Sequence, residues 1–146
     1  MARIKINIPQ KKIAEISIPV RIGDINYGNH VGNDSFVAII HEARIQWLQQ
    51  HNFSELDING TALIMSGLSV EFKNEAFYGD VLHIEIAVGE ISTVGFELFY
   101  RLTSTRSKIN ILIAHAKTDM VCFDYGNKKL MKVPEVLSVI LSKNIV

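Results

Sequence analysis

The side chains of this chain that could do chemistry concentrate in one loop, residues 24–34. The loop carries acidic, amide, phenol and imidazole groups: Asp24, Asn26, Tyr27, Asn29, His30, Asn33 and Asp34. A carboxylate or an imidazole can move a proton, and the ordinary pKa of histidine lies near neutrality, so Asp24 and His30 are candidate acids or bases. On residue types alone, a turn-rich loop whose Asn and Asp side chains bond their own backbone is the more frequent explanation.

A long helix follows this loop. Apolar residues recur with helical spacing from Phe36 to about His51, and Asp34 and Ser35 are expected to cap the helix. A helix N-terminus offers unpaired N–H groups and positive potential, which stabilise an anion, including an oxyanion. Glu42 lies on this helix, where it could face solvent, pair with Arg44 or look into a site at a subunit interface.

Alternating apolar residues predict strands on both sides of the helix. One strand precedes the loop, and four follow residues 59–60, including a long central one over residues 109–123. Turns are expected at residues 79–80, 89–90, 104–105 and 126–127, and Pro134 begins a short last helix. The predicted class is α+β. Because one helix cannot cover both faces of such a sheet, we expect the sheet to wrap round the helix and bury its remaining apolar surface against a second copy.

Composition excludes several function classes. The chain has 146 residues with 15 Lys+Arg and 15 Asp+Glu, which favours a single domain over residues 1–146 and argues against nucleic-acid binding. No apolar stretch reaches the length of a membrane span, and the first residues lack the apolar core of a signal peptide. The single cysteine, Cys122, suits a reducing compartment, so we expect a cytoplasmic protein.

Several cofactor and catalytic motifs are missing from the sequence. No histidine pair has the spacing of a zinc site, and Cys122 is expected to be a buried strand residue. The chain has no P-loop, dinucleotide fingerprint or serine-hydrolase elbow. We therefore predict neither a metal nor a cofactor.

Two segments together resemble the acyl-CoA thioesterases of the hotdog superfamily, in particular the 4-hydroxybenzoyl-CoA thioesterase-like group. They are residues 20–33 (VRIGDINYGNHVGN) and residues 41–48 (HEARIQWL). That family has an arginine and an aspartate after its first strand, a second acidic residue two positions later, a His-Val-Asn-Asn turn and a helix with Glu-Ala-Arg. Residues 70–80, 124–128 and 133–134 are similar to its later turns.

The resemblance implies a hotdog fold, with an antiparallel five- to six-stranded sheet around one long central helix. It implies homodimers and often homotetramers, with an acyl-CoA or acyl-carrier-protein thioester bound at the subunit interface near the loop. It also implies hydrolysis to free acid and thiol without metal or cofactor. The backbone of residues 60–63 corresponds to the segment that polarises the thioester carbonyl. Tyr27, Asn33, Thr61 and Ala62 are the expected substrate-binding residues.

One position departs from the family. The second acidic residue, which serves there as the catalytic carboxylate, is Asn26 here, and Gly32 replaces the first asparagine of the turn. An amide cannot take a proton from water, but it can orient water or donate to a carbonyl oxygen. The expected catalytic residues are therefore Asn26, with His30 as the first candidate base and Asp24 and Glu42 next.

Two further functions stay open on the sequence. A non-hydrolytic hotdog protein that binds acyl thioesters would explain Asn26. A dehydratase on the same fold would need a catalytic histidine with a carboxylate opposite it, and here His30 alone supports it.

Overall fold

The computed structural model describes residues 3–145, in which one antiparallel sheet lies against one long helix. The elements in chain order are β1 (Lys12–Pro19), α1 (Asn33–Gln50), β2 (Ala62–Phe72), β3 (Val81–Ile91), β4 (Gly95–Arg106), β5 (Ile109–Asp124), β6 (Lys129–Leu130) and α2 (Glu135–Leu141). This order confirms the predicted α+β class. Among these residues, no helix is long and apolar enough to cross a membrane.

The strands pair in the order β1-β3-β4-β5-β2, and the short β6 adds to β5. Every neighbouring pair is antiparallel, and β5 lies between β4 and β2, as its apolar sequence predicts. The strands β1 and β2 lie at the two ends of this order. Within the described residues β1 has a single strand partner, and it therefore tolerates Pro19. Within residues 3–145, the eleven residues of β2 therefore leave one edge of the sheet without a strand partner.

The core lies between α1 and the inner face of the sheet. The helix buries its apolar stripe there, including Phe36 and Trp47. Ala114 and Ala116 on β5 are completely buried, as expected for small side chains beneath a closely packed helix. Cys122 is also buried on this strand, as predicted.

The first turn of α1 differs from the sequence prediction. The helix begins at Asn33, so Asp34 and Ser35 lie inside it, and Gly32 is the N-cap with no side-chain hydrogen bond. The loop sets this start through its backbone: the Gly32 N–H donates to the Asp24 carbonyl and the Gly32 carbonyl accepts from Phe36 N–H. The other end agrees with prediction, because Asn52 follows the helix with φ 61°.

Two of the predicted turns lie within strands. Gly89 and Glu90 belong to β3, where a β-carbon on Gly89 would come within 2.6 Å of side chains of β4. The glycine therefore provides room for cross-strand neighbours. Ser104 and Thr105 belong to β4, and the turn to β5 is made by Ser107 and Lys108, both with positive φ.

Candidate active site

Backbone hydrogen bonds hold the polar loop in a fixed shape. Asn26 N–H donates to the His30 carbonyl at 2.9 Å, which closes a small hairpin. Val31 N–H donates to the Ala76 carbonyl at 2.9 Å, which pins the hairpin to the segment between β2 and β3. Because these bonds use main-chain groups, the side chains of the loop stay available at defined positions.

Asn26 and His30 lie together beside Gly28. The Asn26 Oδ1 accepts the Gly28 N–H at 2.9 Å, and a β-carbon on Gly28 would lie 3.3 Å from that Oδ1 and 3.1 Å from His30 Nε2. His30 Nδ1 is 3.1 Å from the Val31 carbonyl oxygen. A carbonyl oxygen only accepts, so in the neutral imidazole the proton is on Nδ1 and Nε2 carries the lone pair. His30 Nε2 also lies 4.0 Å from Glu75 Oε2.

The Asn26 side chain also reaches the beginning of α1. A β-carbon on Gly32 would lie 3.6 Å from Asn26 Nδ2 and 2.7 Å from Asp34 Oδ1. The N–H groups of the first helical turn have no partner within the helix, and in the described part of the chain the N-cap makes no side-chain capping bond to them. The loop therefore places an amide and an imidazole next to a helix N-terminus with free donors.

Asp24 and Glu42 form a second pair, away from His30. Asp24 is buried, and its Oδ2 accepts the Arg21 N–H at 2.8 Å, which closes the 3-10 turn Ile22–Asp24. Glu42 is exposed on α1 and accepts a hydrogen bond from Gln46 at 2.8 Å. Both carboxylates line a cavity of about 360 Å³ between the end of β1 and α1, so the structure divides the four candidate catalytic residues into two pairs.

The loop candidates for substrate binding differ in their surroundings. Tyr27 is fully exposed at the tip of the loop. Asn33, the first residue of α1, lines a cavity of about 300 Å³ together with His30, Phe36 and Phe72. Phe36 and Phe72 meet edge to face, with ring centroids 5.3 Å apart, and give this cavity an aromatic wall.

Thr61 and Ala62 are buried at the beginning of β2. The Thr61 N–H donates to the Ile58 carbonyl at 3.1 Å, so it closes a local turn. Phe72, at the other end of β2, is the residue that contacts Phe36 near the loop. Within one chain the structure therefore does not bring Thr61 and Ala62 to His30.

A buried polar network, which the sequence analysis missed, lies at the Thr61 end of the groove between α1 and β2. Arg44 donates to Glu55 Oε2 at 2.6 Å and to the Tyr100 hydroxyl at 3.2 Å. His41 Nε2 lies 2.7 Å from Glu55 Oε1. Burial raises the pKa of Tyr100, so its hydroxyl stays neutral. The only sequence signal was Arg44 on an apolar helix, because its partners come from other elements.

Two other reactive features, a cluster of charged side chains on the sheet and the cysteine Cys122, do not give an evident catalytic centre. Glu15, His83 and Glu85 offer ligand atoms within 4.8 Å of one another on the outer face of the sheet. Lys12 Nζ lies 2.6 Å from Glu15 and 2.8 Å from Glu85, so one ammonium group already pairs with both carboxylates. Burial raises the pKa of Cys122 to about 11, which keeps it a thiol rather than a nucleophilic thiolate.

Comparison with known proteins identifies the family. The model of the thioesterase-like superfamily matches residues 20–141, which include the loop, α1 and all the strands from β2 to β6. The chain belongs to this superfamily. The family match confirms the predicted resemblance and supports thioester hydrolysis as the class of reaction.

Relatives and solved structures agree with this thioesterase assignment. An acyl-CoA thioester hydrolase of Escherichia coli O157:H7, YbgC, is 26% identical over 121 residues, 80% of this chain and 88% of the relative. Slr0204 of Synechocystis, a 1,4-dihydroxy-2-naphthoyl-CoA thioesterase, is 24% identical and superimposes with a TM-score of 0.77 over 87% of this chain and 93% of its own.

A second structure has the same fold. An aspartate-to-asparagine variant of 4-hydroxybenzoyl-CoA thioesterase, complexed with 4-hydroxybenzoyl-CoA, superimposes with a TM-score of 0.80 at 17% identity. The match covers 90% of this chain and 99% of that one. These structures confirm the predicted hotdog fold.

Proposed function

We propose that the protein hydrolyses an acyl-CoA or acyl-carrier-protein thioester to free acid and thiol, without a metal or cofactor. The observation that carries this proposal is the placement of Asn26 and His30 beside the uncapped N-terminus of α1. This arrangement offers a proton acceptor and oxyanion donors in one place, in a chain of the thioesterase-like superfamily.

The chemistry follows from the orientation of His30. Its Nε2 takes a proton from water, and the water oxygen attacks the thioester carbonyl carbon. The N–H groups of the first turn of α1, with the Asn26 amide, hold the oxyanion that forms. When the carbon–sulfur bond breaks, the imidazolium returns the proton to the departing thiolate. The Glu75 carboxylate, 4.0 Å from Nε2, stabilises the imidazolium between these steps.

The other candidate residues support this site from different positions. Asp24 holds the loop, and Tyr27 and Asn33 contact the substrate at the mouth of the cavity. Glu42, Thr61 and Ala62 reach a thioester only across a subunit interface, from a second copy. Under this proposal they belong to the site of a homodimer.

The unpaired edge of β2 supports the homodimer. Three apolar side chains of this strand are exposed by 38%, 38% and 47%: Met65, Leu68 and Phe72. Antiparallel pairing of β2 with the same strand of a second copy would continue the sheet and cover these side chains. A homotetramer would need a further contact between such dimers.

Hydrolysis is preferred over thioester binding without turnover. Asn26 motivated the non-hydrolytic alternative, but the curated relatives are named thioester hydrolases and His30 supplies a base beside the amide. We place the activity in the cytoplasm, since the free thiol of Cys122 suits a reducing compartment.

A turnover assay tests the proposal. The protein is incubated with short, long and aromatic acyl-CoA thioesters and with an acyl-carrier-protein thioester, and thiol release is measured. We expect turnover of at least one thioester, and a kcat lower by about 10²–10⁴ in His30→Gln.

The matched control is His83→Gln on the outer face of the sheet, which should keep the wild-type kcat. Absence of thiol release from every thioester would reject hydrolysis. Full activity in His30→Gln would reject His30 as the base.

A further inference from the structure

The segment that precedes β1 crosses the outer face of the sheet, the face opposite α1. At residue 11 it lies against β3, because the Lys11 carbonyl accepts the Val88 N–H at 3.0 Å. At residue 6 it has reached β2, because the Ile6 N–H donates to Glu71 Oε1 at 3.2 Å. Strands β4 and β5 lie between β3 and β2, so the segment passes over both of them. We call residues 3–11 the strap.

The length of the strap fits this path. Three strand spacings of about 4.8 Å separate β3 from β2, which is a distance of about 14 Å. The chain from Ile6 to Lys11 spans at most about 17 Å when it is fully extended. The strap therefore has to run almost straight over the sheet, and residues 3–11 accordingly form neither a helix nor a strand.

Side-chain directions show that the strap is anchored on the outer face. Glu71 of β2 is paired with His115 of β5. The neighbours of His115 on its strand, Ala114 and Ala116, are buried in the core beneath α1, so His115 and Glu71 point to the opposite face. Ile6 is only 7% exposed, although it does not belong to that core. Its side chain is therefore buried by the contact between the strap and the sheet.

His115 is buried at this contact without a hydrogen bond. Among residues 3–145, neither of its ring nitrogens has a hydrogen-bond partner, and both are shielded from water. Its Nδ1 lies 3.8 Å from Glu71 Oε1, the same oxygen that accepts the Ile6 N–H. A buried imidazole without partners is unfavourable when neutral and much more unfavourable when charged.

The surroundings of His115 favour its neutral form. Burial lowers the pKa of His115, and the Arg101 guanidinium on β4 and the Lys73 ammonium lower it further. The Glu71 carboxylate and the Ile6 backbone act in the opposite direction, but the net direction is down. With the strap lifted, His115 is hydrated and its pKa returns toward the ordinary value of about 6.5. The closed strap is therefore most stable above this pH and loses stability as the pH falls through the lower value of the closed form.

We propose that the strap is pH-sensitive: it lies closed over the outer face while His115 is neutral, and it opens when His115 takes up a proton. Protonation acts in two ways. The imidazolium has to be hydrated, and water reaches it only when the strap lifts. It also attracts Glu71 Oε1 and so weakens the hydrogen bond from the Ile6 N–H.

Nothing on the strap compensates for the added charge. Its charged side chains among residues 3–11, those of Arg3, Lys5 and Lys11, are all positive, and Arg3 and Lys5 are exposed. They add repulsion to a protonated His115. The proposal is independent of the proposed function, because it concerns the face of the sheet opposite α1 and the polar loop.

Hydrogen exchange of the Ile6 amide tests the proposal. NMR measures the exchange rate in the whole chain from pH 8 to pH 5, and division by the intrinsic rate at each pH gives a protection factor. In the wild-type protein this factor should fall roughly three- to tenfold over the range. His115→Gln cannot be protonated and should keep a constant factor. His83→Gln, which removes a histidine that is 43% exposed on the same face, should keep the wild-type pH dependence.

A reciprocal measurement leaves His115 unchanged, so it decides the question even if glutamine alters the packing beneath the strap. NMR titration of the His115 ring gives its pKa in the wild-type protein and in Ile6→Gly, which removes the buried side chain of the strap. The pKa should rise toward the ordinary value in Ile6→Gly and stay unchanged in Ile4→Gly, since Ile4 is 60% exposed.

Three results would each overturn the proposal. They are a protection factor of the wild-type Ile6 amide that does not depend on pH, a wild-type pH dependence in His115→Gln, and an unchanged pKa of His115 in Ile6→Gly.

Discussion

At the scale of single residues, Asn26 is held by the same kind of contact that an aspartate would make. Its Oδ1 accepts the Gly28 N–H at 2.9 Å, and a carboxylate oxygen can accept the same bond. The amide therefore preserves the shape of the loop while removing a group that could ionise. Replacing Asn26 by aspartate should therefore change the charge at this position without changing the structure of the loop.

Asn26→Asp is expected to lower kcat by roughly tenfold, because it removes the amide that donates to the oxyanion and places a negative charge beside it. Steady-state thiol release with the best acyl-CoA measures the effect. The matched control is Asn29→Asp, which adds the same charge to an exposed side chain of the same loop and should leave kcat unchanged. A higher kcat in Asn26→Asp would contradict the assignment of the Asn26 amide to the oxyanion.

Arg44→Met is expected to lower the free energy of unfolding by about 1–3 kcal/mol, because it removes two buried hydrogen bonds and leaves Glu55 with His41 and the Tyr100 hydroxyl with Thr118. Urea denaturation followed by circular dichroism measures this. Arg101→Met removes an arginine that is 45% exposed and 3.9 Å from Glu85, so it should change stability by only about 0.5 kcal/mol. Equal losses in both variants would contradict a buried role for Arg44.

Local sequence identified the loop residues but not their partners. Asn26 and His30 could be predicted because a short polar loop before a helix brings its own residues together. Glu75 and Glu55 could not, since each reaches its histidine only through tertiary contacts with other elements. The cluster of Glu15, His83 and Glu85 was missed for the same reason, because it depends on the register of β1 against β3.

At the scale of elements, one ion pair fixes the segment that supports the loop. Asp80 accepts hydrogen bonds from Arg106 at 2.6 and 3.0 Å, from Ser104 at 3.1 Å and from the Phe77 N–H at 2.8 Å. The pinned residues 75–80 in turn bind Val20, directly after β1, and Val31 of the loop through the carbonyls of Asp80 and Ala76. The end of β4 therefore positions the polar loop indirectly.

Asp80→Asn is expected to destabilise the protein by about 1–3 kcal/mol near pH 7. The hydrogen bonds from Arg106 hold the pKa of Asp80 below its ordinary value. Its contribution is therefore complete above the unfolded pKa of about 3.9 and is lost as the pH falls through the lower folded value. Urea denaturation from pH 7 to pH 3 should show the two proteins converging in acid. A difference independent of pH would contradict this assignment.

Element types were more predictable than element boundaries. The alternation of Ile84, Ile86 and Val88 correctly predicted a strand, because burial of one face depends only on the period of the pattern. Gly89 and Ser104 suggested turns that the structure lacks, since cross-strand packing decides how far a strand continues. Asp34 suggested a cap for α1, but the loop backbone places Gly32 there instead.

At the scale of the whole molecule, the exposed edge strand β2 and the outer face of the sheet differ in what they could bind. The edge of β2 is apolar, whereas the outer face carries cross-strand ion pairs such as Lys12–Glu85 at 2.8 Å and Lys117–Glu97 at 2.7 Å. Charged groups that are already paired and hydrated offer little energy for association. This favours association through β2, and a dimer over a tetramer that uses the outer face.

Leu68→Lys is expected to convert a homodimer to a monomer, because it places a charge on the exposed part of β2. Sedimentation velocity should give about twice the 16.4 kDa of one chain for the wild-type protein. Ile109→Lys is the matched control, since Ile109 is 64% exposed and is the first residue of β5 rather than part of β2. A monomeric wild-type protein would contradict the proposed interface.

The strand order has a consequence for the time course of synthesis. On a ribosome, α1 and β2 emerge before any of the strands β3, β4 and β5. Among the residues that the structure describes, however, β2 pairs only with β5, and α1 packs on the inner face that the later strands build. The apolar stripe of α1 must therefore stay exposed to solvent while more than half of the chain is still being synthesised. Translation speed and chaperones that shield nascent chains should accordingly affect the yield of folded protein more than they would for a chain whose strands pair in order of synthesis.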